Sequence, residues 1–320
     1  MTAADSRPRP DLRAARHAYL GTSAFAASVL RGLCESGRAP ALVVAPPDRP
    51  RGRGWPTQQP PVVDAAAELG LEILQTESVN EERSLARIRS VEPELATVCA
   101  FGQLIREPLL SELLFLNAHP SLLPRWRGAA PIERAIMAGD METGVTIIRL
   151  VEALDAGPIA LAESVAIGEH EDYGELSARL ERLATALLVR ALEELPGLSF
   201  RDQDESGATY AEKIAPEDRR LDPGRTASAL EAQVLALNPH IGSHLELPGA
   251  ERLGVLAAHR SEEALEPGEL RTEHGEIVLG TPRGSLRLDV VRAPGRRALP
   301  AAEFLRGRRL PDRVPLGSPS

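Results

Sequence analysis

For roughly the first 195 residues, short apolar runs alternate with segments whose apolar positions recur at helical spacing. Residues 17–20 read as a strand, followed by a turn at Gly21 and Thr22. Residues 24–37 then carry Phe25, Val29, Leu30 and Leu33 on one helical face. Strands at 41–44, 72–75 and 95–100 are separated by helices at 62–69, closed by Gly70, and 81–90. Strands interleaved with ~10-residue helices indicate βαβ units and a parallel sheet with right-handed crossovers. After a further run at 116–119, two β-rich runs at 145–150 and 159–165 flank a glycine-bearing loop, so the sheet is expected to end with antiparallel members. A long helix carrying Leu176, Leu180, Leu183 and Leu187 closes this half, stopped by Pro196 and Gly197.

Residues 197–224 are polar and aperiodic, as expected of a linker. One helix at 227–237 follows, then short β-like runs at 244–247, 253–257, 276–279 and 285–291 divided by glycine and proline turns. Such spacing predicts a small barrel or sandwich. The fold class is therefore an α/β domain joined to a separate β-rich one. Division into two domains also suits a length of 320 residues, beyond the size at which single cores usually stop growing.

Composition narrows the function classes. No run approaches the ~18–20 apolar residues of a membrane span, and the Arg- and Pro-rich N-terminus lacks a signal peptide's apolar stretch. The reading is a disordered arm at 1–15 on a cytoplasmic protein. Cys34 and Cys99 both fall on apolar patterns and read as buried thiols. A net charge of −9 argues against coating nucleic acid through the global field. Local charge differs: from Arg283 to Arg313 nine arginines face three acidic residues. Lys213 is the sole lysine, a bias that looks like base composition.

Gly21 does not open a G-x-G-x-x-G fingerprint, and no P-loop pattern occurs, so a dinucleotide is not expected. The chemistry concentrates in Asn117-Ala118-His119-Pro120-Ser121-Leu122-Leu123-Pro124. Asn117 and His119, two positions apart at a strand's end, emerge on one face. Ligands of open α/β sheets bind at the carboxyl ends of strands. An amide beside an imidazole suits acyl transfer, the one stabilising an oxyanion and the other exchanging protons with nitrogen. Alone, a strand-end histidine is usually structural, and Asp155 in Leu154-Asp155-Ala156-Gly157 is an ordinary turn aspartate. If the turn brings Asp155 to His119, its carboxylate favours the imidazolium.

In order and spacing, Asn117, His119, the Ser121-Leu122-Leu123-Pro124 loop and Asp155 resemble the active site of the 10-formyltetrahydrofolate-dependent formyltransferases. The resemblance implies a Rossmann-like, mostly parallel N-terminal sheet and a C-terminal OB-like β-barrel. It makes 10-formyltetrahydrofolate the formyl donor and requires no metal. Asn117, His119 and Asp155 are then catalytic, Ser121, Leu122, Leu123 and Pro124 contact folate, and backbone around Phe101 and Gly102 meets the pterin.

Three further segments are similar to the tRNA-directed branch of that family. They are Pro47-Asp48-Arg49-Pro50-Arg51-Gly52-Arg53-Gly54, Tyr210-Ala211-Glu212-Lys213-Ile214, and Pro294-Gly295-Arg296-Arg297 with Glu303-Phe304-Leu305-Arg306-Gly307. They imply initiator methionyl-tRNA as acceptor, with Arg49, Arg51, Arg53, Lys213, Arg296 and Arg297 on its phosphates. They also imply a catalytic domain at 16–196, a linker at 197–224 and a tRNA-contacting barrel at 225–312, with no obligate protein partner. Departures occur at Ser23 and Ala24, where the family usually has Pro and an acidic residue. Trp55 and Pro56 replace lysines, and Ala153 and Ala156 replace Gly and Thr of the aspartate turn. Two other readings remain open: a sugar-nucleotide or ribonucleotide acceptor, and a non-catalytic, folate-dependent RNA-binding protein.

Overall fold

The structure is a computed structural model that describes residues 15–50, 57–249 and 251–314. The expected arm at 1–15 lies outside these residues except for its last position. Among the described residues two compact units form. One comprises the chain up to Pro124, Gly144–Glu163 and Arg179–Ala208; the other comprises Arg125–Thr143, Ser164–Ala178 and the chain from Thr209 onward.

The N-terminal elements are β1 (His17–Gly21), α1 (Ala24–Glu35), β2 (Leu42–Ala45), β3 (Arg49–Pro50), β4 (Thr57–Gln58), α2 (Pro61–Glu68), β5 (Ile73–Gln75), α3 (Glu82–Ser90), β6 (Leu95–Cys99), α4 (Leu109–Glu112) and β7 (Leu114–His119). There follow β8 (Arg127–Gly128), α5 (Pro131–Ala138), β9 (Glu142–Arg149), β10 (Ile159–Ala166) and α6 (Tyr173–Glu193). Seven strands form one sheet in the order β10-β9-β7-β6-β1-β2-β5. The pairings from β5 through β7 are parallel, and β9 joins β7 antiparallel, as the change of pattern after residue 119 predicts. The strand order reverses between β1 and β6, which makes the sheet doubly wound and places a crevice at its carboxyl edge.

Both faces of the central strands are buried, so β1 and β6 read as continuous apolar runs rather than alternating ones. The core gathers Leu20, Leu42, Val44, Leu85, Ile88, Val98 and Phe115 among others. Ser23 caps α1 by accepting from the Ala26 N–H at 3.3 Å. Gly21 is a packing requirement rather than a phosphate turn: a Cβ there would stand 2.8 Å from the Ala26 Cβ and 2.9 Å from the Tyr19 ring. Cys99 is buried as expected, and burial pushes its thiol up to about 12. Cys34, in the last turn of α1, is only half-buried, because the helical face that meets the core has already rotated past it.

The remaining elements are β11 (Tyr210–Ala211), β12 (Arg220–Leu221), α7 (Ala227–Leu237), β13 (Ser243–Leu247), β14 (Glu251–Ser261), β15 (Leu270–Arg271), β16 (Val278–Gly280), β17 (Ser285–Arg292), β18 (Leu299–Pro300) and α8 (Ala301–Gly307). Their sheet runs β12-β13-β14-β17-β16-β15, with β18 added to β17. It is a curled half-barrel, the form in which the expected OB-like barrel occurs. Leu245, Leu253, Val255, Leu286, Leu288 and Val291 fill its concave core with Leu230 and Val234 of α7. A bulge at Val255 to Ala258 bends β14, the longest strand of this sheet.

The aperiodic stretch 197–224 holds two 3₁₀ turns, Glu205–Gly207 and Glu217–Arg219, besides β11 and β12. Among the described residues no helix is long and apolar enough to cross a membrane.

Candidate active site

β7 supplies two of the three polar groups. Alternation along the strand sends Asn117 and His119 to one face, where they are 8% and 4% exposed. The chain then turns sharply: the Ser121 N–H donates to the His119 carbonyl at 2.9 Å. Thr146 on β9, the register partner of His119, pins the loop beyond this turn. Its hydroxyl donates to the Ser121 carbonyl at 2.7 Å and accepts from the Leu123 N–H at 3.1 Å. Ser121 is fully buried and Leu123 nearly so, while Leu122 and Pro124 are partly exposed. Nothing in the sequence singles out Thr146, which looks like any β-branched strand residue.

The turn between β9 and β10 supplies the third group. Asp155 has φ +48°, a left-handed conformation that Asp tolerates better than most residues. Its Oδ1 accepts from Asn117 Nδ2 at 3.4 Å, and its Oδ2 lies 3.6 Å from His119 Nδ1. The amide, imidazole and carboxylate, separated by up to 38 positions along the chain, therefore converge. Gly157 permits this path: a Cβ there would sit 1.8 Å from the Arg149 carbonyl oxygen, so the turn lies flat against β9. Ala153 and Ala156 lie in this turn, where the Ala156 N–H donates to the Ala153 carbonyl at 3.4 Å.

Of the expected pterin neighbours, Phe101 is 3% exposed and belongs to the core, so it offers backbone rather than ring. Its carbonyl already accepts from the Thr22 hydroxyl at 2.5 Å. Gly102 has φ +76° and open space where a Cβ would point. Register Val98↔Asn117 carries this segment on from β6 beside the end of β7. The Gln103 side chain is engaged elsewhere, accepting from Val79 N–H at 2.8 Å and donating to the Thr76 carbonyl at 2.9 Å.

The expected phosphate contacts occupy separate places. Arg49 is exposed on the β3–β4 ribbon, opposite Gln58; Arg51, Arg53 and Trp55 lie outside the described residues. In the second unit Lys213 is exposed just beyond β11. Arg296 and Arg297 are exposed in the turn before β18, where Arg297 donates to Glu303 at 3.0 Å. Among the described residues no group of three or more His, Cys, Asp or Glu could hold a metal ion.

Residues 15–192 match the formyl transferase family model, and residues 213–309 match the model of the formyl transferase C-terminal domain. A methionyl-tRNA formyltransferase of Methylobacillus flagellatus is 39% identical over 294 residues, covering 90% of this chain and 95% of that protein. One from Halorhodospira halophila is 40% identical over 304 residues, covering 93% and 97%. Among solved structures, HypX of Aquifex aeolicus in complex with tetrahydrofolic acid superposes with a TM-score of 0.61 at 19% identity, over 91% of this chain. That likeness is one of fold, and this chain spans about half of HypX, 47% of its length.

Proposed function

This chain belongs to the methionyl-tRNA formyltransferase family, and we propose that it moves the formyl group of 10-formyltetrahydrofolate to the α-amine of initiator methionyl-tRNA. The product is formylmethionyl-tRNA for translation initiation. The observation that carries the reading is the convergence of Asn117, His119 and Asp155 beyond the carboxyl end of a central strand.

A free α-amine titrates near ~7.7–8.0, and only its neutral form attacks. The neutral amine attacks, and Asp155 takes the proton that its nitrogen sheds as the C–N bond forms, directly or through water. Attack forms the new C–N bond and moves the carbonyl electrons onto oxygen. Asn117 Nδ2 and cationic His119 stabilise that oxyanion. Collapse of the tetrahedral centre breaks the bond to N10, which His119 protonates as tetrahydrofolate leaves. Asp155 faces Nδ1, so the transferred proton comes from Nε2. General acid or base roles are typically worth ~10²–10⁴ in rate, and one oxyanion donor ~2.7–4 kcal/mol.

The pterin lies against main chain at Ala100, Phe101 and Gly102 and against the Asp155 turn, with residues 121–124 contacting the folate. Openness at Gly102 and the exposed Leu154 beside Asp155 fit a flat ring there. The tRNA contacts fall to Arg49, Arg51, Arg53, Lys213, Arg296 and Arg297. Residues 16–196 carry the chemistry, 225–312 help hold the tRNA, and 197–224 join them.

Transfer of a labelled formyl group from 10-formyltetrahydrofolate to initiator Met-tRNA, elongator Met-tRNA and an amino sugar tests donor, acceptor and selectivity together. Label is expected on initiator Met-tRNA. Label on the sugar alone refutes the acceptor, and no label on any acceptor refutes the enzyme.

A further inference from the structure

We propose that Gln203, a residue in the aperiodic stretch after α6, positions the Asp155 carboxylate by clamping the main chain of its turn. The inference rests on the catalytic role proposed for Asp155.

One side-chain amide spans the turn. Gln203 Nε2 donates to the Asp155 carbonyl at 2.8 Å and to the Gly157 carbonyl at 2.7 Å. An amide nitrogen carries two N–H groups, and both are directed to this turn. Two carbonyls two residues apart face one donor only if the chain curls between them, and the left-handed φ of +48° at Asp155 supplies that curl. Gly157 presses the far side of the turn against the Arg149 carbonyl. The turn is thus held between a β9 carbonyl and a glutamine.

Gln203 is itself anchored. Two residues earlier, Arg201 exchanges both backbone hydrogen bonds with Ile159, at 2.7 and 3.0 Å, as an antiparallel bridge at the start of β10. Within the turn, the Ala156 N–H reaches the Ala153 carbonyl only at 3.4 Å. The two glutamine contacts are the shorter ones. They act on the main chain of Asp155, whose carboxylate meets Asn117 and His119 at 3.4 and 3.6 Å. A displacement of about 1 Å, enough to cost ~10² in rate, takes it out of reach of both.

Three variants test this: Q203L, which keeps size but cannot donate; Q203E, which sets an acceptor against two carbonyls; and D155N as reference. In Q203L, kcat is expected to fall by roughly 10–100-fold, with KM for Met-tRNA within about twofold of wild type and an unchanged melting temperature. Q203E is expected to be the slower enzyme at neutral pH and to close part of its kcat gap to wild type as the pH falls, because a protonated carboxyl regains one donor. Wild-type kcat in Q203L overturns the proposal. So does a fall in kcat that tracks a fall in melting temperature in both variants, which marks general instability. If Q203L does not fold, the pH profile of Q203E decides, and one parallel to wild type overturns the proposal. An active D155N refutes the catalytic role of Asp155 itself; an inactive D155N beside a wild-type Q203L refutes only the clamp.

Discussion

His119 is 4% exposed, and the Asp155 carboxylate lies against both its Nδ1 and the amide of Asn117, so in the proposed mechanism its ring serves proton transfer and not binding of the body of a substrate. Replacing it with alanine removes the acid and part of the oxyanion support, yet leaves Thr146 holding residues 121–124. H119A is therefore expected to lose at least ~10² in kcat while its dissociation constant for the folate stays close to wild type. Single-turnover kinetics and a fluorescence titration with a non-reactive folate separate the two quantities. Wild-type turnover removes His119 from the mechanism; lost folate affinity makes it a binding residue. A second histidine shows the opposite use of burial. His17, in β1, joins its Nδ1 to the Thr97 hydroxyl at 3.0 Å and its Nε2 to the Arg38 carbonyl at 3.0 Å. Desolvation holds its pKa below the usual value, with the Arg38 carbonyl partly opposing. The unfolded chain therefore binds a proton at higher pH than the folded one. The stability linked to His17 is fully present above about pH 6.5 and is lost as the pH falls from there through its lower folded value. The urea midpoint should drop between about pH 7.5 and pH 5 more steeply in wild type than in H17Q, whose amide does not titrate. Equal slopes in the two proteins would refute the linkage.

At the scale of elements, legibility followed the length of the repeating pattern. Strands β1, β6 and β7 came through because five buried positions in a row leave a clear apolar run, and α7 came through at its full extent. Helix α5 did not. Pro131 at its start and Gly139 at its left-handed end are ordinary boundary signals, but Glu133 and Arg134 interrupt its apolar positions, whereas α2, of the same length, carries only Asp64 among its apolar ones before the last residue. The two-residue pairings of β8 with β11 and of β12 with β13 carry no period at all. β14 runs past both ends of its apolar run, because the bulge at Val255 to Ala258 breaks the alternation and its ends carry Glu251, Arg252 and Arg260. The site divides in the same way. Two-residue periodicity showed that Asn117 and His119 share a face, and only their order with Asp155 across 38 positions gave the turn aspartate a meaning. Thr146 and Gln203 act through side-chain contacts with distant main chain, 48 positions away for Gln203 and Asp155, which leave no mark on local sequence.

For the whole molecule, a net charge of −9 sets the electrostatic terms on which a polyanion is met. The global field repels tRNA, so attraction must come from local clusters acting within about a Debye length, ~10 Å at 0.1 M salt. Arg296 and Arg297 belong to such a cluster, but they differ. Arg297 already donates to Glu303, although 79% of its side chain is exposed, and to meet a phosphate it would have to exchange that carboxylate. Arg296 is exposed at the same turn, its N–H closing the turn onto the Ala293 carbonyl. Each phosphate neutralised contributes roughly 0.9 to the slope of log affinity against log salt. R296A should therefore raise KM for Met-tRNA and flatten that slope by nearly one unit, and R297A by less. In both, kcat at saturating tRNA and KM for the folate should stay at wild-type values, since neither arginine touches the reacting atoms. Measuring KM for tRNA across a salt series in the two single variants and the double variant tests this. Parallel slopes in all four proteins would remove this turn from the tRNA surface, and an effect confined to kcat would mean that it acts on the chemistry instead.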